Sequence, residues 1–452
     1  MRLRPLAAAL SFVAVALVGC EGGALERPPD VGGRDARPNV IVYLIDTLRA
    51  DHLGIYGYPR PTSPHIDEFA VGGTVFDRAI AQDSKTLGSV ASLLTSLHTQ
   101  SHGLTRFGHK LGPGVVTLAQ TMRDAGYQTG AFITNVNAGE LSGLDQGFGH
   151  FYDATKTWRD REALRSLPDD AVFRWLDRIG QSPFFAYIHT AEPHRPYIPP
   201  PPYDAMFDAN YAGSTTGFYR GRNGFSRAEH IADIEHVKAL YDGEIRYADE
   251  AVGRLLDELE RRDLLGRTIV ILTSDHGEEL YDRGHWNHGH TLYNELIQVP
   301  LIFSGPAISA RKRISTPVQL VDVAPTILEL AQISSPEEFE GASLLELIGG
   351  EKLEAFSQRP VYAMTTATPH QVAVVRGSWK AILWPGGTLE LFDLARDPKE
   401  QNNLVDEESE LEIEFRSLID GWMSGHVNES NRSEVPLTEE AQERLRALGY
   451  IE

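Results

Sequence analysis

The sequence predicts an α/β fold: a large, doubly wound, mostly parallel sheet followed by a small C-terminal α+β subdomain. Three observations carry this. Residues 40–45, 184–188 and 268–274 are nearly unbroken apolar and β-branched runs, the pattern of strands buried on both faces. Stretches with apolar residues at helical spacing separate them, and strands alternating with helices indicate a parallel sheet. From about residue 355 the pattern changes to short strands and turns, ending in a polar, helical tail through Leu445.

The N-terminus carries Arg2 and Arg4, an apolar run over 6–18, then Gly19-Cys20. This reads as an export signal, because the run is too short for a comfortable transmembrane helix. Leu17-Val18-Gly19-Cys20 resembles a bacterial lipobox, which implies cleavage after residue 19 and a lipidated Cys20. Residues 20–37, rich in Gly, Pro and Arg, then form a flexible tether. Cys20 is the only cysteine, so the fold has no internal disulfide to lean on. The expected location is outside the cytoplasm, in the periplasm or at the cell surface, with the lipid holding the chain to a bacterial membrane.

The main domain spans 38–335. Its run over 40–45 ends at Asp46, the run over 184–188 at His189, and the run over 268–274 at Asp275-His276. Each chemically active side chain therefore falls at the carboxyl edge of a strand, where α/β proteins place their sites. Helices are expected over 89–97, 117–125 and 231–262, the last with Ile245, Ala248, Val252, Leu255 and Leu256 on one face. Residues 196–228, rich in Pro, Tyr, Gly and Asn, read as a long insertion with the character of a lid. Residues 336–452 form the C-terminal subdomain and tail.

A formal net charge of -21 excludes non-specific nucleic-acid binding, which needs Lys and Arg to neutralise phosphates. An anionic substrate must be captured by a local site. Asp46, Asp275 and His276 supply carboxylate and imidazole from separate strand ends, as a hydrolytic metal requires; helix caps and ion pairs are the alternative use of such residues. Three histidines in the six residues 285–290 do not suit a packed core.

Several segments together resemble the sulfatase family of alkaline-phosphatase-like enzymes. Ile45-Asp46-Thr47-Leu48-Arg49-Ala50-Asp51-His52-Leu53-Gly54 is similar to its opening metal motif, and Thr62-Ser63-Pro64-His65-Ile66-Asp67 to the segment after it. Thr273-Ser274-Asp275-His276-Gly277-Glu278 resembles its second metal motif. His288-Gly289-His290-Thr291-Leu292-Tyr293-Asn294-Glu295 resembles its substrate-binding stretch, and Asp322-Val323-Ala324-Pro325-Thr326 and Leu391-Phe392-Asp393-Leu394 complete the series. The family's nucleophile motif falls at Thr86-Leu87-Gly88-Ser89-Val90, where sulfatases carry a Cys or Ser that is oxidised to formylglycine, with Pro and Arg following. Thr86 has a methyl group on Cβ, so that oxidation cannot give the aldehyde, and no formylglycine is expected.

The resemblance implies a metal-dependent hydrolase or transferase of phosphate or sulfate esters. Thr86 would act as nucleophile beside a divalent cation (Zn, Mn or Ca), with one site expected and room for a second. Asp46, Asp275, His276 and Thr86 would face the metal; His189 and His290 would serve catalysis; Lys85, Asn135, His194 and His288 would contact substrate. Threonine chemistry favours a phosphorus ester. The alternatives are a true sulfuric ester hydrolase and a catalytically dead, lipid-anchored glycan-binding protein. Expected substrates are small-molecule, glycan or lipid-linked anionic esters.

Overall fold

A computed structural model describes residues 37–157, 168–218, 231–351, 353–366, 370–425 and 431–447. Cys20, with the expected lipobox and the expected tether through residue 36, lies outside the described residues, as do 219–228 of the expected lid.

The main sheet is built from β1 (Asn39–Ile45), β2 (Gly73–Ile80), β3 (Gln128–Ile133), β4 (His150–Asp153), β5 (Phe184–Thr190), β6 (Thr268–Thr273), β7 (Gln298–Ser304), β8 (Lys312–Ile314) and β9 (Val318–Gln319). The strand order is β8-β2-β7-β6-β1-β5-β3-β4, with β9 beside β2. β1 pairs in parallel with β5 and β6. β7 alone runs antiparallel, between β6 and β2.

The unbroken apolar run of β1 has a direct cause. Val40, Val42 and Leu44 face one core, while Ile41, Tyr43 and Ile45 face the other. Helices cover both faces: α1 (Pro64–Val71), α2 (Thr86–Thr95), α3 (Leu118–Asp124), α4 (Asp169–Ile179), α5 (Ile231–Arg261) and α6 (Val323–Leu330). The first core takes Val90, Leu93 and Leu94 of α2 with Ile327 and Leu328 of α6. The second takes Trp175 of α4 with Ile245 and Val252 of α5. Each such side chain stabilises the fold by about 1.5–3 kcal/mol on burial.

The C-terminal region holds a four-stranded antiparallel sheet of β10 (Val361–Met364), β11 (Val372–Arg376), β12 (Trp379–Leu383) and β13 (Leu389–Asp393), in sequential order. Helix α7 (Ser409–Met423) packs Phe415 and Ile419 on one face. The other face receives Leu292, Tyr293, Leu296 and Ile297 from the main domain.

Two elements differ from the sequence expectation in ways that matter for the site. Helix α2 begins at Thr86 instead of near residue 89, with Lys85 as its cap residue. Strand β5 runs on through Thr190, so His189 is held inside the strand, paired to Leu44 and Ile133. Polar residues within a sheet break the apolar pattern without breaking the backbone ladder.

Candidate active site

The carboxyl ends of β1, β5 and β6 are neighbours, so their terminal side chains converge. Asp46, His189, Asp275 and His276 are all fully buried. The chain turns sharply after Asp46: Thr47 adopts φ +57°, an unusual conformation for a β-branched residue. That turn aims the Thr47 N–H at Asp275 Oδ1 (3.2 Å) and lets the Thr47 carbonyl accept from the Tyr241 hydroxyl (2.7 Å). Strain here is tied to the alignment of two acids.

Thr86 enters this cluster from the first turn of α2. Its Oγ1 lies 3.3 Å from His276 Nε2. The opposite ring nitrogen, Nδ1, donates to the Gly277 carbonyl at 2.9 Å, so the Nε2 lone pair faces Thr86 and the acids. Ser89, one turn along, donates to the Asp275 carbonyl (2.6 Å) and fixes the helix against β6. Asn135 bridges the two halves: its Nδ2 donates to Asp46 Oδ2 and, at 3.4 Å, to Thr86 Oγ1. His189 Nε2 is 3.2 Å from Asp46 Oδ2, and its Nδ1 meets the Tyr187 hydroxyl at 2.9 Å.

The electrostatics are those of a cation site. Asp46 Oδ1 and Asp275 Oδ2 are buried without a hydrogen-bond partner. Burial, then repulsion from Asp275, pushes the Asp46 carboxyl well above its usual range. The His276 imidazole is raised by Asp275 and Asp46 against the opposing effect of burial, whereas burial lowers His189 to about 4. One ligand atom each from Asp46, His189 and Asp275 lie within 4.8 Å of one another. His276 Nε2 is 3.4 Å from Asp275 Oδ2 and 4.0 Å from Asp46 Oδ1. Ligand atoms held about 2.1 Å from one tetrahedral ion sit about 3.4 Å apart, so these spacings and the two orphaned oxygens fit a divalent cation.

Beyond His276 the rings form a row: His276 to His288 at 4.4 Å and His288 to His194 at 5.1 Å between centroids. Burial and then His276 hold His288 well below the ordinary imidazole range. Its Nδ1 lies 3.1 Å from Glu278 Oε1, and burial raises the Glu278 carboxyl. His194 Nδ1 donates to the Arg195 carbonyl (2.8 Å). His290 instead pairs through Nε2 with Glu279 Oε2 (2.7 Å), and its ring lies beside that of His285. The Lys85 stem passes across Gly289, where an added Cβ would lie 2.3 Å from Lys85 Cε.

The structure thus brings Asp46, Thr86, Asn135, His189, Asp275 and His276 into direct contact. His288 and His194 extend that cluster; Lys85 and His290 flank it through the loop after Glu279. Glu278 and Tyr187 belong to the site and escaped the sequence reading. Glu278 stood beside Asp275-His276-Gly277 as a motif residue with no role, and Tyr187 shares its strand face with His189 at a spacing of two, a signal that could have found it.

A fold of this kind with buried acids and imidazoles around a hydroxyl defines a metal-dependent ester hydrolase of alkaline-phosphatase-like architecture. The comparisons specify it further. A family profile described as Sulfatase matches residues 38–333, and one described as N-sulphoglucosamine sulphohydrolase, C-terminal, matches 282–419. The chain belongs to the sulfatase family. It is 25% identical over 456 residues to the arylsulfatase of Clostridium perfringens, covering 85% of this chain and 92% of that protein. Among solved structures it resembles the phosphonate monoester hydrolase of Agrobacterium radiobacter (TM-score 0.74, 19% identity, 89% of this chain and 99% of that one). It also resembles a protein solved with its substrate D-glucosamine-2-N,6-O-disulfate (TM-score 0.71, 20% identity, 86% and 97%).

Proposed function

We propose that this chain is a lipid-anchored phosphoesterase or phosphotransferase that uses the unmodified hydroxyl of Thr86 as its nucleophile. The observation that carries this is the contact between Thr86 Oγ1 and His276 Nε2, at 3.3 Å, inside the cluster of buried acids. Asp46, His189, Asp275 and His276 would hold a divalent cation. When bound, it would make the neighbouring hydroxyl more acidic and offset the charge of the attacked ester.

Thr86 Oγ then forms a bond to phosphorus as the bond to the leaving oxygen breaks. Asn135 Nδ2 donates to the attacking oxygen and stabilises it as an anion. The Thr86 proton is given up as the hydroxyl bonds to phosphorus, and the departing oxygen takes a proton from the Glu278–His288 pair, whose Oε1 and Nδ1 lie 3.1 Å apart. Water or an acceptor alcohol removes the phosphoryl group from Thr86. The position of Thr86 at the start of α2 adds the free N–H groups and dipole of a helix N-terminus.

The organic half of the substrate is proposed to be an anionic glycan or related ester, since one similar structure holds a sulfated glucosamine. The name of the Clostridium relative supports a second reading, hydrolysis of a sulfate ester by the same threonine. The test measures turnover of aryl phosphate monoesters, phosphodiesters and sulfates with added zinc or manganese, for the natural chain and Thr86→Ala. Phosphate turnover should fall at least ~10³-fold in the variant, with phosphothreonine trapped at residue 86 in the natural protein. Turnover that survives the substitution removes Thr86 from the chemistry, and a sulfate-only activity favours the second reading.

Anchoring rests on Leu17-Val18-Gly19-Cys20. The natural chain should partition with membranes and Cys20→Ser should not; equal partition of both would overturn the anchor.

A further inference from the structure

Lys380 on β12 is a fully buried lysine in the C-terminal sheet. Its ammonium lies 2.6 Å from Glu400 Oε1, itself buried, and donates to Asn294 Oδ1 at 2.9 Å. Glu400 also accepts the Asn294 backbone N–H (2.7 Å). Arg283 reaches the same place from the other end of the loop. Its guanidinium donates to the carbonyls of Glu400 (3.1 Å) and Lys399 (2.9 Å), pairs with Glu295 (2.6 Å), and lies 3.4 Å over the Tyr293 ring. Residues 283 and 294 are therefore both fastened to residues 399–400, and between them lie His285, His288 and His290.

The same loop packs against the residue that follows His276. The Glu295 carbonyl packs so closely on Gly277 that an added Cβ would sit 2.1 Å from it, and Gly277 carries the carbonyl that sets the His276 tautomer. Buried ion pairs add little net stability, because desolvation offsets the attraction; their best-attested use is to fix a register. Here the register belongs to a loop in contact with the site.

We propose that Lys380, through Glu400 and Asn294, is a positioning residue that holds the histidine loop in its substrate-binding arrangement. The C-terminal subdomain thereby acts as a clamp on the pocket. The inference rests on the proposed function for its kinetic test only. Asp46, His189, Asp275 and His276 lie on other elements, whereas His288 rides on the loop, so the clamp should affect substrate binding and protonation of the leaving oxygen far more than metal binding.

Two variants test this. Lys380→Met removes the ammonium, and Asn294→Ala removes the loop's side-chain partner of Lys380 while leaving the Lys380–Glu400 pair and the Asn294 N–H bond to Glu400 in place. Each should raise KM about 10-fold for an aryl phosphate of an acidic phenol, whose leaving oxygen needs no proton from His288, with kcat changed less than about 3-fold and zinc or manganese affinity unchanged. Hydrogen exchange should quicken across 283–293 but not across 39–46. That second measurement needs no turnover, so it separates failure of the clamp from failure of the Thr86 chemistry. If Lys380→Met does not fold, Asn294→Ala decides. A folded Asn294→Ala variant with natural exchange in 283–293 overturns the clamp, as does a natural KM in an enzyme shown to be active.

Discussion

Tyr187 and His189 show how a single hydroxyl can set the chemistry of a site it never enters. Tyr187 is fully buried and two positions before His189 on the same strand face. With its hydroxyl 2.9 Å from Nδ1, it holds the ring so that Nε2 points toward Asp46. A ligand imidazole whose other nitrogen loses its partner typically binds metal 10–100-fold more weakly. Tyr187→Phe should therefore weaken zinc or manganese binding by about that factor, with little change in fold; titration calorimetry on the metal-free protein measures it. An unchanged affinity would show that the Nδ1 contact does not orient His189. The same scale explains Asn135, whose one amide group touches both Asp46 and Thr86.

At the scale of elements, the site depends on three strand ends, the start of α2 and the loop after β6 keeping fixed spacings. Gly277 is where two of these meet. Any Cβ at that position would strike the Glu295 carbonyl, a backbone atom that cannot swing aside. Gly277→Ala should cost about 1–3 kcal/mol, the range of a core clash that must shift backbone, and denaturant unfolding would measure it. A loss below ~1 kcal/mol would mean the loop relaxes freely. The strand ends themselves were legible in the sequence, because Asp46, His189 and Asp275 each terminate an apolar run buried on both faces. What the sequence hid is equally physical. β7 is antiparallel and carries Pro300, and β3 and β4 lie toward one edge with mixed residues, so none has the long apolar signature of a central parallel strand. The early start of α2 was hidden because Thr86, Gly88 and Ser89 read as polar turn residues, yet every residue of the helix is buried against Asp275, Asp83 and the core.

For the whole molecule, the cation should be part of the fold's stability and not only of its chemistry. Residues 37–452 form one compact unit, and its central sheet ends on two buried acids with an orphaned oxygen each. Without a cation, Asp46 holds its proton more tightly in the folded than in the unfolded chain. Stability therefore falls as pH rises from the unfolded value of 3.8 through the folded one. His276 works in the same direction: its folded value lies above 6.5, so its contribution is complete below 6.5 and lost as pH climbs through the folded value. Asp275 is lowered, and its contribution is already complete above 3.8. Buried His189, at about 4, and His288, held well below 6.5, work the other way up to pH 6.5; above that the metal-free protein should accordingly lose stability, while a bound cation, which needs its ligands deprotonated, should gain affinity as pH rises. At a free metal concentration about 100 times Kd the gain is roughly 2.7 kcal/mol, a rise of several degrees in Tm. Thermal unfolding of chelated and zinc- or manganese-loaded protein, at each pH, measures the difference. The gap should widen from pH 5 to pH 8 and should nearly close in Asp275→Asn, which removes one ligand charge without changing size. A gap that stays constant with pH, or survives in Asp275→Asn, would place the stabilising ion somewhere other than among these three strand ends.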